Sequence, residues 1–151
     1  MAYLEIDGQN LEGKFNFAFK NKADKEFNDV DLNGNQPGGF NQIYQGLLQF
    51  DINALKAFWL CALAYQKSQP SIKQVEEALE ARIDADEGTD ALFSEAFKEI
   101  DSSGFFKRDA KTFWNNIELS KKMLKDEEME QAKIGFKMFN DARTELLGEK
   151  K

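Results

Sequence analysis

Apolar side chains ring the segment 52–66, and a helix of that kind has to be enclosed on several sides. Leu55, Phe58, Trp59, Ala62 and Leu63 fall around more than one face, and Asp51 is placed to be the N-cap. The fold must therefore put 52–66 near its centre and recruit other elements to cover it. The neighbouring segments are patterned to do this. Upstream, Phe40, Ile43, Tyr44, Leu47 and Leu48 recur at helical spacing. Downstream, Pro70-Ser71-Ile72-Lys73-Gln74 is a capping box, with Ser71 at the cap and Gln74 at the third helical position. The helix it opens carries Ile72, Val75, Leu79 and Ile83. Residues 84–88 break the pattern. Thr89 is expected to cap the next helix, with Leu92, Phe93, Ala96, Phe97 and Ile100 inward, and Ser102-Ser103-Gly104 ends it. A helix over 108–125 turns Phe113, Trp114 and Ile117 inward, and 127–147 reads as one long amphipathic helix.

The N-terminus has a different rhythm. Tyr3-Leu4-Glu5-Ile6 leads into Asp7-Gly8, a strong turn signal, and Phe15-Asn16-Phe17-Ala18-Phe19 alternates with period two. These segments read as a hairpin, which needs helices to pack on because two strands alone are not stable. A short helix over 20–30, with Ala23 and Phe27 on one side, leads into an Asn/Asp/Gly-rich loop over 29–39 with Pro37. The expected architecture is mainly α: an N-terminal β-hairpin packed on a bundle of about five to six helices, followed by a long C-terminal amphipathic helix. We expect the hairpin and helical core over 1–125 and a helical extension over 126–151, with no internal repeat.

Composition narrows the function classes. A chain of 151 residues that is 42% hydrophobic and holds 14 Phe can build a core and can leave aromatics over for an interface. Its net charge of −7 disfavours nonspecific binding to nucleic acid or to anionic membranes. Cys61 is the single cysteine, which fits a reducing cytoplasm. Met1-Ala2-Tyr3-Leu4-Glu5 has neither the basic region nor the apolar core of a signal peptide. The apolar stretch 57–65 is far shorter than the roughly 20 residues that span a bilayer, so a cytoplasmic protein is expected.

Candidate chemistry is sparse. Asp29-Val30-Asp31-Leu32-Asn33-Gly34 matches the first half of a calcium-binding EF-hand loop, which makes Asp29, Asp31 and Asn33 weak metal candidates. The bidentate glutamate is missing, however. Phe40 stands at position twelve and Pro37 at position nine, so a surface turn explains the motif as well. Cys61 lies between Leu60 and Ala62 in a chain without histidine, and reads as a packing thiol whose pKa burial would raise. The acidic groups Glu76/Glu77/Glu80, Asp84/Asp86/Glu87 and Asp126/Glu127/Glu128 read as solvated helix faces. Gly38-Gly39 lacks the Lys-Ser/Thr of a phosphate loop. No catalysis, cofactor or metal is expected.

The most informative feature is the C-terminal stripe. Met129, Ala132, Phe136, Phe139 and Leu146 fall at three- and four-residue steps broken by Arg143, and we expect them to contact a partner or a second copy. Packing against the chain's own domain is the alternative reading of the same stripe.

Four stretches together carry a resemblance. They are Leu4-Glu5-Ile6-Asp7-Gly8 through Phe15-Asn16-Phe17; Gly39-Phe40 through Gly46-Leu47-Leu48, with Asp51-Ile52-Asn53-Ala54-Leu55; Pro70-Ser71-Ile72 with Val75-Glu76 and Leu79-Glu80; and Leu92-Phe93, Phe97 and Ser103-Gly104-Phe105-Phe106. In this order they resemble the tail assembly chaperones of long-tailed bacteriophages and prophages of Gram-positive bacteria. The pattern is degenerate. The loop 33–39 is longer than in that pattern, and the helix beyond Leu124 extends it.

The resemblance implies a non-catalytic holdase in the host bacterial cytoplasm. Many copies would coat the tape measure protein during virion morphogenesis, keep it soluble, and yield to tail tube protein. It also implies a homo-oligomer and a longer form made by ribosomal frameshifting that recruits tube protein. An adenine run would encode Gly148-Glu149-Lys150-Lys151 and permit such slippage. Alternatives from other classes are a small helical adaptor, a calcium-responsive binding module, and an enzyme built on carboxylates.

Overall fold

The structure, a computed structural model, describes residues 2–30, 34–123 and 126–148, with the backbone alone at 126–129. Its elements run β1 (Tyr3–Ile6), β2 (Gln9–Glu12), α1 (Phe17–Glu26), α2 (Gly39–Leu48), α3 (Ile52–Ala62), α4 (Ile72–Asp86), α5 (Asp90–Ser102), α6 (Lys107–Met123) and α7 (Asp126–Leu147). The mainly helical architecture with its N-terminal hairpin and long last helix is the one expected. No helix among the described residues is long and apolar enough to cross a membrane.

The strands pair antiparallel, Tyr3 opposite Glu12 and Ile6 opposite Gln9, around Asp7 and Gly8 at φ 51° and 80°. Such a two-residue turn with both φ positive fixes the register to the residues that follow at once. The second strand is therefore Gln9–Glu12 and not 15–19, which corrects the period-two reading. Asn16 decides the matter: its side chain accepts the Phe19 N–H at 3.3 Å and caps α1. Phe15, just before the cap, meets Phe19 in the first turn, ring centroids 5.6 Å, while Phe17 is exposed. The helix expected over 20–30 accordingly begins at Phe17 and ends at Glu26.

α3 is central, as its composition demands. Leu55, Phe58, Trp59, Ala62 and Leu63 are fully buried, and α1, α2, α4 and α5 all pack on it. Asp51 caps it through the Asn53 N–H at 2.9 Å. Two glycines set how closely its neighbours approach. A Cβ on Gly39 would lie 2.2 Å from the carbonyl carbon of Ala23, and one on Gly46 would lie 2.4 Å from the Ala54 Cβ. Helix α2 can thus nestle against both α1 and α3 only because those positions carry no side chain. Asp24 finishes the α1–α2 contact by accepting the Gly39 N–H at 3.0 Å.

The hairpin is tied down by polar bonds. Tyr65 donates its hydroxyl to the Glu12 carbonyl at 2.6 Å, and Gln74 donates to the Asp7 carboxylate at 2.8 Å. At the start of α4 both bonds of the Ser71–Gln74 capping box form, at 2.9 and 3.1 Å. Thr89 stands at the cap position of α5 but makes no side-chain cap bond, because its backbone is already helical; Asp90 supplies negative charge to that first turn. Of the 14 Phe, only Phe17 and Phe50 are exposed.

Candidate protein-interaction surface

The body of the molecule closes on a polar knot. Tyr44, fully buried on α2, donates its hydroxyl to Asp101 on α5 at 2.6 Å and accepts the Trp114 indole N–H from α6 at 2.8 Å. Burial, with the Asp101 carboxylate beside it, pushes the Tyr44 hydroxyl well above its ordinary 10.0. Arg143 of α7 lies over the Trp114 ring, 4.7 Å from its centroid. The residue that interrupts the stripe in the sequence is thus the one that clamps α7 to this knot.

Beyond the knot the packing thins. No residue of α6 after Trp114 is buried, nor is any over 130–141 of α7. These two stretches form an arm, held by lighter contacts: Phe113 against Phe139 at 6.2 Å, and the Lys121 ammonium 5.2 Å from the Phe136 ring. The stripe divides along its length. Leu146 is buried, and its carbonyl accepts the Ser94 hydroxyl at 2.6 Å. Phe139 packs against the core, Phe136 and Ala132 are half-buried, and the Met129 side chain lies outside the described residues. Four other apolar side chains on the two helices, absent from the stripe, are more open. Leu119 (57%), Met123 (76%), Ile134 (64%) and Met138 (66%) are exposed on the arm. Their signal in the sequence was the four-residue step within each pair.

A cleft of about 430 Å³ runs between α7 and the α2–α3 turn, bounded by Leu48, Phe50, Gly135, Met138, Phe139 and Ala142. A second of about 300 Å³ adjoins it, sharing Phe50 and Glu145 and reaching Ala91, Ser94 and Leu146. Phe50 stands between them at φ 54°, left-handed and 38% exposed. Its N–H donates to the Leu47 carbonyl at 3.1 Å, and its ring meets Phe93 edge-on at 5.5 Å. The turn thereby holds an aromatic ring in a conformation that bulky residues rarely adopt. Among the described residues the charged ones lining the two clefts are Asp90, Asp141 and Glu145, all acidic.

The remaining candidates take these positions. The Asp29 carboxylate accepts from the Gln42 amide at 3.1 Å while its N–H donates back at 2.7 Å; Asp31 and Asn33 lie outside the described residues. Among the described residues no group of three or more Cys, Asp or Glu is placed to hold a metal ion. Cys61 is buried, and burial pushes its thiol up to about 12, far from a reactive thiolate. Glu76 pairs with Lys56 at 3.1 Å, and Arg82 bridges Asp86 at 2.7 Å to Glu95 at 2.8 Å. Glu77, Glu80, Asp84 and Glu87 face solvent, and the side chains of Asp126, Glu127 and Glu128 lie outside the described residues.

The family model of the phage tail assembly chaperone protein, TAC, matches residues 3–115. The matched segment ends one residue beyond Trp114, at the root of the arm. No curated protein and no solved structure matches the chain.

Proposed function

Because the chain belongs to the phage tail assembly chaperone family, we propose that it binds the tape measure protein and keeps it soluble while the tail is built. It acts by contact and not by catalysis, in the cytoplasm of the host bacterium. The observation that carries this reading is the exposure of four large apolar side chains, Leu119 and Met123 on α6 and Ile134 and Met138 on α7, on a chain of net charge −7. Such a surface suits a holdase, which needs apolar contact that is reversible on a body that stays dissolved. Of the stripe Met129, Ala132, Phe136, Phe139 and Leu146, the last two pack on the chain's own body, and self-association through Met129, Ala132 and Phe136 would multiply weak contacts along a long client. A frameshifted longer form would bring tail tube protein to the same complex.

Co-expression with the tape measure protein tests the reading. The client should move into the soluble fraction and be retained on the tagged chain. A client that stays insoluble, with nothing retained, sinks it. Light scattering on the chain truncated after Lys125 tests the oligomer: assembly unchanged by the truncation removes the stripe from the contact. A coding sequence without a slippery heptamer or an overlapping downstream frame removes the longer form.

A further inference from the structure

We infer that the paired clefts beside Phe50 are the seat for one helix of the client, an amphipathic helix with lysine or arginine flanking its apolar face. The inference rests on the chaperone reading for whose helix it is, and on the clefts themselves for what kind of helix fits.

Shape is the first ground. The clefts follow α7 from Gly135 to Leu146, which at about 1.5 Å per residue is the length of about three helical turns. Their floor is apolar, with Phe50 between them and Met138 on the outer wall. At Gly135 the wall is open, since a Cβ there would meet nothing within 4 Å, and a visiting backbone can come close to α7. A groove of this length, apolar at the base and lined on one side by a helix, is read by side chains at positions i, i+3, i+4 and i+7 of a docked helix.

Charge is the second ground, and it selects the occupant. Among the described residues no Lys or Arg lines either cleft, while Asp90, Asp141 and Glu145 do; Lys137 pairs with Asp141 at 4.0 Å from outside the lining and leaves the rim net acidic. A helix with acidic flanks would be repelled at this rim, and one with basic flanks attracted. Phe50 is the third. A large aromatic held at φ 54° in a turn is a costly arrangement, retained here by the Leu47 carbonyl and the Phe93 edge, and it presents a rigid ring to whatever enters.

The test uses the full chain and a fluorescent synthetic peptide of leucine and lysine with apolar residues at helical spacing, followed by anisotropy. The wild type should bind it, with affinity falling as salt rises. Met138→Glu and the reversal Glu145→Lys should each weaken binding at least tenfold while circular dichroism shows helicity unchanged. A leucine–glutamate peptide of the same pattern should bind at least tenfold more weakly than the lysine peptide. Equal binding by wild type and both variants, equal binding of the two peptides, or no binding by the wild type overturns the cleft assignment. The tape measure co-expression then separates the two proposals. A wild type that leaves the tape measure protein insoluble defeats the functional reading. A Glu145→Lys chain that keeps it soluble as well as wild type defeats the cleft and leaves that reading standing, because Glu145 is not one of the exposed apolar residues on which that reading rests.

Discussion

Glycine plays opposite parts in the body and in the arm. In the body, Gly39 and Gly46 sit where helices nearly touch, and any Cβ would collide with Ala23 or Ala54. In the arm, Gly135 sits mid-helix with open space where its side chain would be. Phenylalanine divides in the same way: Phe19, Phe58, Phe93, Phe97 and Phe106 are fully buried in the body, whereas Phe136 on the arm stays half open under a lysine. The body is optimised for close approach, and the arm keeps surface in reserve. A region that holds back apolar surface gives up stability it would gain by burying it, at about 25 cal/mol per Å². On the proposed function, a client covers that surface part of the time.

Four substitutions can break or sharpen this contrast. Gly39→Ala should cost the most, about 3 kcal/mol, because the clash is with backbone and cannot be relieved by a rotamer change. Urea denaturation should show the midpoint collapse, and a loss near zero would mean that α1 and α2 are not so tightly apposed. Trp114→Ala, at the root of the arm, should cost about 2–3 kcal/mol through the lost ring contacts and the lost hydrogen bond to the Tyr44 oxygen, which would still donate to Asp101. Amide exchange should then quicken in α7 more than in α3, and equal quickening would deny that the knot is where the arm is attached. Gly135→Ala should go the other way, raising stability by about 0.5–1 kcal/mol through helix propensity alone; thermal melting that moves downward would place hidden contacts at that site. Met138→Glu should change stability by less than about 0.5 kcal/mol, as exposed substitutions do, and a larger loss in urea would show that Met138 supports the fold.

What the sequence made legible follows from the range of the forces involved. The central position of α3 could be read because a ring of apolar residues admits no other solution, and the Ser71–Gln74 box because its bonds span three residues. The stretch 15–19 misled because three phenylalanines at alternate positions satisfy the strand pattern, while one cap by Asn16 outweighs it. Spacing also identified the stripe residues but not their surroundings, since periodicity says which side chains share a face and nothing of what that face meets. The clefts left no trace at all. They exist because α7 returns to Phe50 from ninety residues away in sequence and because one turn residue takes a left-handed φ; neither is a local property of the chain.

The two tryptophans give the molecule a pair of independent optical gauges. Trp59, fully buried in α3, should report on the melting of the body. Trp114, wedged between a phenolic oxygen and a guanidinium, emits from the junction that the arm hangs on. Replacing Trp59 with phenylalanine would leave a single native lamp at that junction, whose colour and brightness should follow, without any attached dye, whether the proposed client shifts the arm.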